Sequence, residues 1–213
     1  MQPSSAAVWP LIFVLTSCAT TQTAATPTHG KISHLSSVEG TPLLCEHKVP
    51  EKVCTQHHPE LIPQFKKVGD WCPEHNRPES QCLICHPDLT FAALPVLPDA
   101  ADLKWLSREG EDVASLDAHA VIGKVTIFDF YADWCAPCRK IDEHIYGLLQ
   151  KRKDLALRKL NVVSWETALA KHHLTGVPNL PHLIVYGRDG KVAKTISGFD
   201  LAALDAAIAE ASR

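Results

Sequence analysis

The stretch that decides the fold is 125-VTIFDFYADWCAPCRK-140. Its opening residues are mostly β-branched or aromatic, the pattern of a strand buried on both faces among parallel neighbours. Behind them, positions 137 to about 152 carry Ile141, Ile145 and Leu148-Leu149 at near-helical spacing, so a helix follows the strand directly. Cys135 falls at the turn between the two, and Cys138 lies one helical turn further on. Downstream, 155-LALRKLNV-162 alternates partly, as a strand does, and 165–173 makes a short helix. Residues 182-HLIVYG-187 form another strand, and Arg188-Asp189-Gly190-Lys191 has hairpin-turn chemistry leading into 191-KVAKTIS-197. The chain closes on an amphipathic helix, 200-DLAALDAAIAEAS-212, with Asp200 as its N-cap. The order is a β-α-β half followed by a β-β-α half.

A cysteine at a helix N-terminus meets unpaired N–H groups and the positive end of the helix dipole, and both favour the thiolate. The thiolate is the attacking species in thiol–disulfide exchange, so Cys135 reads as a nucleophile and Cys138 as the thiol that resolves a mixed disulfide. Asp129, on the buried strand, has its ionisation disfavoured and is placed to accept the Cys138 proton. A bare CxxC also fits half of a zinc site; what favours redox chemistry is the likeness described next, which takes in Asp129, Trp134, Pro137 and Pro181 as well as the pair.

These residues resemble the active-site strand and helix of thioredoxins, and especially the thioredoxin domain of bacterial thiol:disulfide interchange reductases. The likeness covers about residues 111–213. It implies an α/β thioredoxin fold, a central mixed sheet flanked by helices. Asp129 matches that family's buried acidic residue and Pro181 its cis-proline, although Pro178 in 176-GVPNLP-181 competes for that place. A cis Pro181 leaves the backbone at Leu180 free to pair with an extended substrate, so Leu180 and Trp134 become substrate contacts. The chain departs from the pattern in having Leu180 before the proline and Ala136 between the cysteines. The resemblance implies no cofactor for this unit beyond the Cys135–Cys138 pair.

Eight Cys and twelve His in one chain point to metal as well as redox chemistry. An offset of 28 aligns the chain to itself: His47, Pro50, Glu51, Cys54, His57, His58, Pro59 and Leu61 match His75, Pro78, Glu79, Cys82, Cys85, His86, Pro87 and Leu89. Each copy is preceded by a cysteine, giving two four-ligand sets: Cys45, His47, Cys54, His57 and Cys72, His75, Cys82, Cys85. Cys85 replacing His57 keeps a metal-binding side chain in place, and zinc takes four such ligands tetrahedrally, with copper the rival. A segment so poor in large hydrophobic residues lacks a core of its own, and a bound ion supplies the missing stability. A disulfide framework competes, but five cysteines leave one over, and disulfides explain none of the histidines. The segment resembles, over a short length, Cys/His stretches of some heavy-metal efflux adaptors.

Positions 6–15, AAVWPLIFVL, are too short to span a bilayer but right for a signal-peptide core. They lead into Leu15-Thr16-Ser17-Cys18, which resembles the lipobox of bacterial lipoproteins, though no Lys or Arg precedes the apolar run. The resemblance implies removal of residues 1–17, a lipid on Cys18 and residence in the cell envelope facing the periplasm. Ala19, in place of an acidic residue, tilts this towards the outer membrane. The expected organisation is then a tether at 18–42, the Cys/His module at 43–91, a linker at 92–110 and the α/β unit at 111–213. A net charge of −3 gives no electrostatic reason to expect nucleic acid. The leading expectation is a membrane-anchored thiol–disulfide oxidoreductase acting on disulfide-containing envelope proteins and served by a redox partner protein. The alternative is a metal chaperone or sensor whose thioredoxin unit keeps metal-site cysteines reduced.

Overall fold

The structure is a computed structural model that describes residues 42–213, so the expected signal segment and Cys18 lie outside the described residues. Its strands are β1 (Asp102–Ser107), β2 (Val125–Tyr131), β3 (Leu155–Asn161), β4 (His182–Tyr186) and β5 (Val192–Ser197). They form one sheet in the order β1-β3-β2-β4-β5. β1, β3 and β2 run parallel, whereas β4 is antiparallel to β2 and β5 antiparallel to β4. The helices are α1 (Ile62–Lys67), α2 (Ala136–Leu149), α3 (Ala168–His173) and α4 (Leu201–Ala211). This is the mixed sheet flanked by helices that the sequence implied. No helix among the described residues is long and apolar enough to cross a membrane.

β2 is flanked on both sides, which is why its apolar run needs no alternation. β3 is also flanked, by β1 and β2, so all seven of its residues are buried, Arg158 and Lys159 included. The sequence places 102–107 in a linker; these residues instead form β1, the edge strand beside β3. Asp102 secures that edge, since its carboxylate accepts from Lys124 Nζ and from Arg158 Nη1, each at 2.8 Å. The preceding segment is fastened too: the Gln150 side-chain amide donates to the Val96 carbonyl (2.8 Å), and the Arg139 guanidinium donates to the Ala92 carbonyl.

Two buried clusters sandwich the sheet. One joins Val125, Ile127, Leu157 and Leu183 to Ile141 and Ile145 of α2 and to Leu204 and Ile208 of α4. The other gathers Phe128, Phe130 and Leu160 with Leu169 of α3, Trp134, Cys135, Cys138 and, from the Cys/His segment, Phe65 of α1. Phe65 has no exposed surface. The Cys/His segment therefore has its hydrophobic anchor in the core of the sheet domain rather than in a core of its own.

Candidate active site and metal centres

Cys135 is the N-cap of α2, and its sulfur accepts a hydrogen bond from Cys138 N–H (3.2 Å). Pro137 occupies the first turn, where a missing N–H costs the helix nothing. Cys135 and Cys138 are joined as a disulfide, S–S 2.04 Å, and only 5% and 1% of their surfaces are exposed. The two sulfurs thus sit at the positive end of α2, where the thiolate of the opened form is stabilised.

Behind the pair lies a buried triad of charges. Asp129 and Lys159 are register neighbours on β2 and β3, and Lys159 Nζ donates to Asp129 Oδ2 at 2.6 Å. Lys159 also donates to Asp142, four residues beyond Cys138 on α2. The Lys159 ammonium stands 3.7 Å from the Tyr131 ring centroid. One cation cannot compensate two buried carboxylates fully. Burial, with Asp142 adding repulsion against the pull of Lys159, pushes the Asp129 carboxyl up to about 6. Lys159 is held firmly protonated: burial opposes its charge, but Asp129 and Asp142 outweigh it. Asp129 Oδ1 is buried without a hydrogen-bond partner among the described residues, so a free acceptor faces into the core.

The Leu180–Pro181 peptide bond is cis, which settles the competition with Pro178. Pro181 directly precedes β4. No hydrogen bond engages the Leu180 backbone among the described residues, while Pro181 C=O accepts from Gly198 N–H (2.8 Å). Trp134 is 4% exposed; its indole N–H donates to the Val163 carbonyl (2.7 Å), and its ring meets Phe65 edge-on at 6.1 Å. Trp134 is therefore a wall held from both sides. His182, after the proline, shares a hydrogen bond with the Ser197 hydroxyl (2.8 Å), and burial lowers its pKa.

Both sets of four candidate ligands are clustered, and each could hold a metal ion. In each set one ligand atom per residue lies within 4.8 Å of the others. In the second, His75 Nδ1 is 3.3 Å from Cys72 Sγ, 3.5 Å from Cys82 Sγ and 3.3 Å from Cys85 Sγ, and Cys72 and Cys85 sulfurs are 3.7 Å apart. Zinc at about 2.3 Å from sulfur and about 2.1 Å from nitrogen requires tetrahedral edges of about 3.8 Å (S···S) and about 3.6 Å (S···N). The donor set fits a tetrahedral cation of that size. In the first, His47 Nδ1 lies 3.7 Å from Cys45 Sγ and 3.4 Å from Cys54 Sγ. His57 turns its Nε2 to Glu46 Oε1 (3.0 Å), an outer partner of the kind that orients a ligating imidazole. None of these five cysteines is paired in a disulfide. His58 and His86 bind Glu60 and Glu79 and stand outside both sets.

Residues 116–210 match the family model described as Thioredoxin. The chain carries a thioredoxin-like domain. Similar proteins include a thioredoxin of Streptomyces clavuligerus, 36% identical over 35% of this chain and 66% of its own. The chloroplastic thioredoxin-like protein HCF164 of Arabidopsis thaliana is 32% identical over 36% of this chain and 29% of its own. The thiol:disulfide interchange protein DsbD of a Pseudomonas strain is 32% identical over 46% of this chain and 18% of its own. The chain thus spans less than two thirds of the length of each of these three relatives. Among solved structures, a mutant thioredoxin from Halobacterium salinarum is 26% identical with a TM-score of 0.40, covering 56% of this chain and 97% of that one.

Several residues of the site carry too faint a signal to be singled out from sequence. Lys159 and Asp142 complete the charge triad of the thioredoxin-like domain. The traces they leave are a charged pair, Arg158-Lys159, inside an apolar strand, and a carboxylate on the helix face of Cys138. A groove of about 390 Å³ runs past Cys135 between Trp134 and Leu180 on one side and Val68, Asp70 and Ser80 on the other. Nothing in the sequence announces that second wall.

Proposed function

We propose that this protein exchanges thiols for disulfides in extracytoplasmic polypeptides, through Cys135 and Cys138 and in the reducing direction. The observation that carries this is the Cys135–Cys138 disulfide at the N-terminus of α2, backed by the Asp129–Lys159–Asp142 triad. In the dithiol form, the Cys135 thiolate attacks one sulfur of a client disulfide. A Cys135–client bond forms, the client S–S bond breaks, and the departing sulfur leaves as a thiolate that takes up a proton. Cys138 then loses its proton towards Asp129 and attacks Cys135 Sγ. The Cys135–Cys138 bond forms as the Cys135–client bond breaks, and the client's second sulfur leaves as a thiolate that takes up a proton, so the client departs as a dithiol. The client gains two electrons and the pair loses two; a dithiol redox partner restores them. The unbonded Leu180 backbone offers an N–H and a C=O to an extended client beside the sulfurs.

The two Cys/His sets each hold a zinc ion in this reading, which supplies a structural cross-link to a segment with almost no core of its own. Cys72, His75, Cys82 and Cys85 hold one; Cys45, His47, Cys54 and His57 hold the other. The lipobox-like Leu15–Cys18 stretch supports a lipid anchor on Cys18 and a place in the envelope, with the outer membrane favoured.

The test is a trap. Cys138→Ala should accumulate mixed disulfides between Cys135 and client proteins in an envelope fraction, and Cys135→Ser should abolish both adducts and insulin reduction. Insulin reduction that persists in Cys135→Ser would refute the proposal. Metal analysis of the same purified sample should return zinc, and copper or no metal would refute the zinc assignment.

A further inference from the structure

The Cys/His module is packed directly against the dithiol site. Phe65 is fully buried in the cluster that holds Trp134, Cys135 and Cys138, and Val53, Leu61, Val68 and Trp71 pack on the same cluster. Lys67 lies over the Trp165 ring at 4.9 Å. The groove beside Cys135 therefore has two walls of different origin: Trp134 and Leu180 from the sheet domain, and Val68, Asp70 and Ser80 from the module.

The module's wall is tied to one metal set. Asp70 stands two residues before Cys72, and Ser80 two before Cys82. The Asp70 carboxylate accepts from Ser80 N–H (2.8 Å) and from the Ser80 hydroxyl (2.5 Å), closing the base of the loop that carries Cys72 and His75 and leads directly to Cys82. A bridge between Cys72 and Arg77 folds the same loop on itself. Asp70 and Ser80 are thus positioned by a loop whose other fixed points are metal ligands.

We propose that the cation held by Cys72, His75, Cys82 and Cys85 sets the wall of the client groove, so that the module selects which disulfides reach Cys135. The occupant is an extended polypeptide segment with an apolar side chain next to its disulfide. Val68, Trp134 and Leu180 offer that side chain an apolar surface, and the unbonded Leu180 backbone pairs with the segment's main chain. A groove of about 390 Å³ is at the lower end of the roughly 300–1,000 Å³ of ligand pockets, room for a few side chains and not for the face of a folded protein. This inference rests on the exchange activity proposed above and adds its selectivity.

The experiment uses the full chain in three forms: zinc-loaded, chelator-stripped, and Val68→Thr, which makes the wall more polar at constant size and charge and touches no ligand. Each is reduced and assayed with an aromatic disulfide reagent, dithiobis(nitrobenzoate), and with an unstructured peptide closed by a disulfide next to Leu. Stripping should raise KM for the peptide about tenfold, the weight of one Val-sized apolar contact, and Val68→Thr should raise it several-fold; both should leave the aromatic reagent's rate within about twofold. A second readout needs no turnover: peptide-resolved mass spectrometry of Cys135 alkylation by iodoacetamide and by a bulky maleimide. Zinc removal should raise the maleimide-to-iodoacetamide ratio several-fold. Equal effects on both disulfides, a fall in peptide KM, or an unmoved alkylation ratio would overturn the proposal. Loss of turnover with both disulfides in the zinc-loaded form would instead refute the exchange activity, and the alkylation ratio would still decide the wall.

Discussion

Lys159 concentrates the energetics of the site in one side chain. It is 2% exposed and carries the positive charge between Asp129 and Asp142. Removing one partner of a buried ion pair leaves uncompensated charge, at a cost of about 3–5 kcal/mol. Lys159→Met should lower stability by that amount in urea unfolding, and Asp142→Asn in the same background should recover part of it. In the proposed exchange, Asp129 sets the pH dependence: its carboxyl, pushed up from an ordinary 3.8 to about 6, can accept the Cys138 proton only when ionised. The resolving step should quicken as pH rises through about 6, and stopped-flow exchange with Asp129→Asn should lose that limb. Stability runs the other way. A raised carboxyl favours the fold while protonated, so its contribution is full below about 4 and lost as pH rises through about 6. Asp129 is legible from its place on an apolar strand, since a lone acid there demands an explanation. Its countercharge is not, because β3 pairing with β2 in the register that sets Lys159 beside Asp129 is a tertiary fact.

The elements that sequence exposes best are those whose pattern is local. β2, α2 and the hairpin through Gly190, whose φ of +75° suits glycine, announce themselves by apolar runs, helical spacing and turn chemistry. The N-cap Asp200 does too, and its carboxylate accepts from Ala203 N–H at 2.8 Å. β1 stays hidden because it follows two prolines and has only half-buried residues on most of its length, so no burial pattern marks it. Its place is fixed by Asp102, which ties the edge to Lys124 on one side and to buried Arg158 on the other. Asp102→Ala should cost about 2 kcal/mol, the range of a charge-assisted hydrogen bond at a partly solvated rim. Hydrogen exchange should show the loss first in β1 amides and only later in β2.

Across the molecule, the two halves that read as separate in sequence share a core. Spacing alone marks the candidate metal ligands, yet the docking of their segment depends on Phe65 and Val68, unremarkable residues outside the repeat. Metal removal should therefore register beyond residues 43–91. Chelation of the zinc-loaded chain should expose the module to protease and should shift Trp134 fluorescence through its contact with Phe65. A response confined to the module would argue against a common core. Phe65 has a practical corollary for anyone trimming this chain. A fragment starting near Leu94 would keep every residue of the catalytic pair and triad, yet it would carry an oily dent beside its reactive sulfur where the aromatic plug had been. Such a fragment should clump or bind detergent, and its failure would say nothing about the chemistry of the pair.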